Sequence, residues 1–112
     1  HLEDRLILPS VASQADPSWF CFPITVRENA GFTRRDLTGF LEQRGIETRL
    51  IFAGNILRQP AYRNVAVRTV GDMHGADAVM SRTFFIGTYP GLTADELAYV
   101  LDSFTTFFAA QR

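Results

Sequence analysis

From Trp19 to Arg27 the residues alternate, with Phe20, Phe22, Ile24 and Val26 on one face and Trp19, Cys21, Pro23, Thr25 and Arg27 on the other. Successive side chains of a strand point to opposite faces, so this run predicts a β-strand with one strongly apolar face that needs a cover. Pro23 has no N–H to give to a ladder, which puts the strand at a sheet edge or leaves that position unpaired. A second alternation sets Ile46, Thr48, Leu50 and Phe52 against Glu47, Arg49 and Ile51 and predicts another strand. Thr83 to Tyr89 reads as a third, stopped by Pro90-Gly91.

The cover comes from segments with helical spacing. Thr33 followed by Asp36 resembles a capping box and opens a helix running to about Arg44, with Leu37, Phe40 and Leu41 inward and Gly45 suited to the left-handed position that ends it. Gly75 to Arg82 reads as a short helix with Ala76, Val79 and Met80 inward. Thr93 with Glu96 is a fuller capping box, followed by a helix whose inward stripe reads Leu97, Val100, Leu101, Phe104 and Phe108. The order β-α-β-loop-α-β-α predicts an α+β domain: a small mixed or antiparallel sheet with helices over one face. Residues 1–18, an apolar stub Leu6-Ile7-Leu8 and a loop of Ser, Ala, Gln, Asp and Pro, read as a lead-in from something upstream; 19–112 form the domain.

Composition narrows what such a domain does. A chain of 112 residues buries roughly two-thirds of its unfolded surface, enough for one core and too little for a deep private active site. Eleven basic residues against twelve acidic ones leave no positive excess for a phosphate backbone or an anionic membrane, so neither nucleic acid nor membrane is an expected partner. No apolar run reaches the roughly 18 to 20 residues of a membrane span and the start lacks a signal-peptide profile, so a cytoplasmic location is expected. One cysteine and two histidines, His1 and His74, give no metal-ligand set. All eleven basic residues are arginine, and with no lysine the chain cannot form a Schiff base. A GC-rich genome favouring arginine codons is the expected cause of the bias; the chemical consequence holds regardless of cause.

No glycine-rich cofactor loop or nucleophile-elbow pattern is present. Cys21 in its aromatic strand reads as a buried structural thiol, His74 as a solvated loop histidine, and Arg34-Arg35 as a solvated pair on a helix face. The segment Arg49 to Tyr62 differs: Arg49, Asn55, Arg58, Gln59 and Tyr62 lie beside Phe52 and Pro60, polar groups against apolar walls, as in a sugar or nucleotide pocket. Composition leaves two readings open there, such a pocket or a loop whose polar groups satisfy its own backbone. Alternation adds weight to Arg49, which points away from the expected core.

Several stretches are also familiar as text: 17–27 (Pro-Ser-Trp-Phe-Cys-Phe-Pro-Ile-Thr-Val-Arg), Gly45-Ile46-Glu47-Thr48-Arg49, Phe52-Ala53-Gly54-Asn55, Arg58-Gln59-Pro60-Ala61-Tyr62 and 86–93 (Ile-Gly-Thr-Tyr-Pro-Gly-Leu-Thr). Together they resemble the C-terminal small domain of the nucleotide-sugar 3-dehydrases. These are pyridoxal phosphate (PLP) enzymes acting on CDP- or dTDP-4-keto-6-deoxyhexoses, relatives of the fold-type I sugar aminotransferases. The resemblance covers nearly the whole chain. Sugar aminotransferases tend to carry Tyr-Pro and Pro-Leu-His elements before Gln-Pro-Ala-Tyr; Phe52-Ala53-Gly54-Asn55 favours the dehydrase branch. Cys21 stands where Trp-Phe-Gly-Phe would have glycine.

The resemblance implies a parent enzyme that uses PLP or pyridoxamine phosphate (PMP) to remove the C3 hydroxyl, with a histidine replacing the Schiff-base lysine. In better-known members a 2Fe-2S cluster and a reductase partner complete the deoxygenation, and a homodimer is expected. Cofactor, catalytic base and cluster would belong to a large N-terminal domain, so this chain alone would hold no catalytic residue, cofactor or metal. It would wall one side of the cleft, with Arg49, Asn55, Arg58 and Tyr62 as candidates for contacting the nucleotide sugar; a guanidinium offers a pyrophosphate a planar fork. Two alternatives stay open: the small domain of a sugar aminotransferase, and a stand-alone ligand-binding or dimerisation module. The first two readings expect an apolar patch facing the large domain, with Trp19 and Leu6-Ile7-Leu8 as candidates and core membership as their competing explanation.

Overall fold

The computed structural model describes residues 2–111. Four strands form one sheet in the order β1-β2-β4-β3, where β1 is Leu6–Ile7, β2 Cys21–Val26, β3 Thr48–Leu50 and β4 Thr83–Gly87. Every pairing is antiparallel. Three helices accompany it: α1 (Arg34–Gln43), α2 (His74–Arg82), which runs directly into β4, and α3 (Ala94–Ala109).

Residues opposite one another in a ladder share a face, so the pairs Leu6↔Val26, Phe22↔Ile86, Ile24↔Phe84, Thr48↔Ile86 and Leu50↔Phe84 define one side of the sheet. α1 and α3 cover that side. Leu37 and Leu41 of α1 and Phe104 and Phe107 of α3 are buried with Leu6, Ile24, Val26 and Phe84 in a single core. Phe32, Phe40, Phe107 and Phe108 extend it with edge-to-face and tilted ring contacts at centroid separations of 4.9–5.7 Å.

Both capping boxes form. Thr33 Oγ1 accepts from the Asp36 N–H (3.2 Å) while Asp36 Oδ2 accepts from the Thr33 N–H (2.8 Å), and Thr93 and Glu96 repeat the arrangement. The hydrogen bonds from Thr33 and from Thr93 hold the Asp36 and Glu96 carboxyls below their ordinary pKa. Gly45 takes the left-handed conformation after α1 (φ 77°). Beside it Arg44 lies between the Phe40 and Tyr99 rings, 5.6 and 5.2 Å from their centroids, and donates to Ser103 Oγ and Asp102, riveting α1 to α3.

Several readings of the sequence are revised or narrowed. Leu6–Ile7, taken as part of the lead-in, is a strand, and Leu6 is 2% exposed in the core. β2 is therefore interior, although β1 reaches only Thr25 and Val26. Continued in register, the ladder would set Pro9 against Pro23, two residues without an N–H, so the edge beside Pro23 stays open as its chemistry requires. β3 is shorter than the alternation 46–52, and Phe52 is 82% exposed. On α3 Ser103, Phe104 and Phe107 are buried with Val100 and Phe108 packed against the core, whereas Leu97 and Leu101 are 50% and 61% exposed. The burial of Ser103 against Arg44 rotates the inward face away from Leu97 and Leu101.

The far side of the sheet carries Ile7, Cys21, Pro23, Phe85 and Arg49, with Thr25 Oγ1 and Thr83 Oγ1 2.8 Å apart. Cys21 is half-buried there, a less enclosed position than a core thiol. Phe20 stands exposed 6.2 Å from the Phe85 ring. Of the candidate patch residues Ile7, Leu8 and Trp19 are exposed, while Leu6 belongs to the core.

Candidate functional site

Directly after β3 the chain makes a tight reversal. The Phe52 N–H donates to the Leu50 carbonyl (2.9 Å) and the Gly54 N–H to the Ile51 carbonyl (2.9 Å), with Phe52 itself left-handed at φ 42°. A non-glycine residue rarely holds that conformation unless its neighbours fix it, and here both flanks do. Gly54, at φ 63°, lies so close to α2 that a Cβ built on it would sit 2.4 Å from Met80 Cα. Only glycine permits this contact.

The contact carries Asn55 into the interior, where it is 1% exposed. Its Oδ1 accepts from the Leu57 N–H (3.0 Å) and caps the short 3-10 turn Ile56–Arg58, while its Nδ2 donates to Asp77 Oδ1 (2.7 Å) on α2. Arg58 meets the same carboxylate with two bonds, Nε to Oδ1 (3.1 Å) and Nη2 to Oδ2 (3.0 Å), the planar fork that suits a guanidinium. These hydrogen bonds, from Arg58 first and Asn55 second, bring the Asp77 carboxyl down to about 2. Gln59 Nε2 donates to the Ala53 carbonyl (2.9 Å), and the turn Pro60–Tyr62 follows with the Tyr62 ring exposed. The loop is thus fastened to α2 at three successive points: Gly54, Asn55 and Arg58.

α2 is held in turn by Arg34, whose Nη1 donates to the carbonyls of Met80 (2.7 Å) and Thr83 (3.2 Å) at its C-terminal end. Arg34 is therefore a structural donor, in place of the solvated residue expected. At the other end His74 is exposed and pairs with Asp72 (3.1 Å).

Arg49 lies elsewhere. Its register opposite Phe85 places it on the face away from Leu50 and Phe84, and its Nε and Nη2 both reach Glu47 Oε1 (3.0 and 2.6 Å) in an exposed pair. It lines a cleft of about 330 Å³ with Glu47, Phe85, Thr88, Tyr89 and Leu92. Of the four candidates, the structure brings Asn55 and Arg58 together on Asp77 and keeps Arg49 in a separate cleft. Asp77 was not legible beforehand: it stands 22 and 19 residues from its partners, and its only sequence signal is an acidic side chain in the first turn of a helix.

No three His, Cys, Asp or Glu side chains gather as a metal site among the described residues, and no helix there is long and apolar enough to cross a membrane. Nor do this chain's residues fit PLP by themselves. It has no lysine amine, and Arg34, Arg44, Arg58 and Arg82 are engaged by its own carbonyls or carboxylates.

Comparison with known proteins agrees with this architecture. Over 103 residues, 92% of this chain, it is 50% identical to the lipopolysaccharide biosynthesis protein RfbH of Salmonella typhimurium, 24% of which is covered. It is 47% identical over 104 residues to the dTDP-4-dehydro-2,6-dideoxy-D-glucose 3-dehydratase of Saccharopolyspora spinosa, covering 93% of this chain and 22% of that protein. The crystal structure of an E. coli GDP-4-keto-6-deoxy-D-mannose-3-dehydratase with bound hydrated PLP superposes with a TM-score of 0.76 at 25% identity, over 88% of this chain and 25% of that one. The chain spans about a quarter of the length of the relatives it matches. The family profile described as DegT/DnrJ/EryC1/StrS aminotransferase matches residues 2–105, and the chain belongs to that family.

Proposed function

We propose that this chain is the C-terminal small domain of a PLP- or PMP-dependent nucleotide-sugar 3-dehydrase. The parent would remove the C3 hydroxyl of a 4-keto-6-deoxyhexose in deoxysugar or lipopolysaccharide O-antigen biosynthesis. The observation that carries this reading is the 47–50% identity, along almost the entire chain, to a protein named as a 3-dehydratase and to one named for lipopolysaccharide biosynthesis. The loop geometry supports it: in Phe52-Ala53-Gly54-Asn55, the segment that favours this branch, Gly54 and Asn55 each have a structural task.

Within that enzyme the chain walls one side of the substrate cleft, with residues 1–18 carrying it in from the large domain and Leu6–Ile7 joining the small domain's sheet. Arg49, in its own cleft, and Tyr62 contact the nucleotide sugar directly; Asn55 and Arg58 hold the loop that carries Tyr62. The exposed Ile7, Phe20 and Trp19 pack against the large domain, which supplies the cofactor pocket and the catalytic base. The parent is a cytoplasmic homodimer, served by a reductase and, as in better-known members, a 2Fe-2S cluster.

The test is to read the residue at the Schiff-base position in the segment encoded ahead of this one and to assay the full-length, cofactor-loaded protein on CDP- and dTDP-4-keto-6-deoxyhexoses. A histidine with loss of the C3 hydroxyl is the expected result. A lysine with amino transfer to C4 would make it an aminotransferase. Saturable nucleotide-sugar binding by the isolated chain, with no large domain encoded, would make it a stand-alone module.

A further inference from the structure

Arg58 is the most prominent cation of the 53–62 loop, and on chemistry alone it is the natural partner for a substrate phosphate. The geometry points elsewhere. Its Nε and Nη2 are both spent on Asp77, at 3.1 and 3.0 Å, in a two-point pairing. The carboxylate they meet also takes the Nδ2 of Asn55, which is wholly buried and whose Oδ1 fixes the Leu57 amide. A second, independent contact presses the same loop on the same helix, the approach of Gly54 to Met80, and the Met80 carbonyl is itself held by Arg34.

We infer that Asp77 is a positioning residue: through Asn55 and Arg58 it locks the 53–62 loop onto α2, so that Arg58 is a strut of the substrate wall and not the group that binds the substrate's phosphates. The loop is thereby preformed before substrate arrives, and its exposed side chains Ile56 and Tyr62 are presented at a fixed height above α2. Binding then avoids the entropy of ordering a ten-residue connection, which a loose loop would lose on every encounter. The inference rests on the reading of this loop as a substrate wall. The lock itself is a property of the geometry.

A double-mutant cycle in the full-length, cofactor-loaded protein decides it, using Arg58→Ala, Asp77→Ala and the pair. The readouts are KM and kcat on a CDP-4-keto-6-deoxyhexose, hydrogen exchange at the Leu57 amide, and Tm. A strut predicts that each single change raises KM, up to about tenfold for Asp77→Ala, with kcat little altered, that the pair costs no more than Asp77→Ala alone, and that Leu57 exchanges faster in all three, up to about tenfold. If Arg58→Ala raises KM much more than Asp77→Ala, or the two effects multiply, Arg58 touches substrate and the inference falls. It falls equally if Tm drops while KM stays at the wild-type value, since the cluster would then be structural only. Should an alanine variant fail to fold, Asp77→Asn keeps the acceptor for Asn55 and removes the charge, and its KM is expected between wild type and about tenfold. A wild-type protein inert towards the sugar would sink the functional reading alone. The Leu57 exchange cycle would still decide the lock, with multiplying effects on exchange overturning it.

Discussion

On the helix-covered side of the sheet, Leu37, Leu41, Ile24, Phe84 and Phe104 are buried among one another and their order comes from apolar area; on the 51–62 loop the buried side chain is an asparagine, and order comes from one carboxylate. The two regions meet at α2 and β4, which follow each other without a linker. Burial of area is non-directional and tolerates imperfect shapes, whereas the loop depends on a few bonds of fixed direction and one position without a Cβ. Loss of a core side chain therefore spreads through the whole domain, while loss of a loop contact stays in the loop.

The largest expected effect tests that spread. Phe84, fully buried and placed between β2 and β3, is the central ring of the core, so Phe84→Ala is expected to cost about 3–5 kcal/mol and lower the denaturant midpoint of the entire fold. Gly54→Ala probes the other region. Its Cβ meets the backbone of α2, which cannot swing aside, and φ 63° strains any side chain, so a cost of about 1–3 kcal/mol is expected. Hydrogen exchange separates the two variants: in Gly54→Ala the Leu57 amide loses protection while the Phe84 amide keeps most of it. Equal loss at both amides would show that loop and core unfold as one unit.

Smaller still is the cap of α3. Thr93→Ala removes one acceptor from an exposed helix start and is expected to cost about 1 kcal/mol, with Thr93→Ser recovering most of it in the same unfolding measurement. That helix start could be read from the sequence because its partners are three residues apart. The contrast with β1 and Asp77 is instructive. A two-residue strand has no period to detect, and Leu6–Ile7 is recognisable only once Val26 and Thr25 lie beside it. Asp77 meets Asn55 and Arg58 across a connection of about twenty residues that has no hydrophobic rhythm. Of the expected α3 stripe, Val100, Phe104 and Phe108 do face the core, while Leu97 and Leu101, which satisfy helical spacing equally well, stay exposed and Ser103, bonded to Arg44, is buried. Alternation places Arg49 on the face away from Leu50 and Phe84, as the register shows, since a strand's period of two survives even where its ends are misjudged.

Acid separates the regions without a mutation. The Asp77 carboxyl lies at about 2 in the folded chain against 3.8 ordinarily, so its contribution to loop order is complete above the ordinary value and disappears as pH falls through about 2. Between those values the Leu57 amide should lose protection relative to the Phe84 amide, and Asp77→Asn should abolish that pH dependence. A ratio that stays flat down to pH 2 would mean that Gly54 packing, and not the carboxylate, holds the loop.

The smallest effect is expected at Arg49. Its pair with Glu47 is exposed on both sides and joins a β3 residue to one just ahead of the strand, a geometry in which side-chain entropy and solvent screening cancel most of the attraction. Arg49→Ala and Glu47→Ala should each change unfolding free energy by less than about 0.5 kcal/mol. Their effects on substrate should differ in sign, because Glu47 competes with any anion for the same guanidinium. Arg49→Ala is expected to weaken binding of the nucleotide sugar to the full-length protein, and Glu47→Ala to strengthen it slightly, both read as a change in KM. If both variants weaken binding equally, the pair works as a unit; if neither changes it, Arg49 does not face the substrate and the cleft it lines with Phe85 and Tyr89 belongs to the boundary with the large domain.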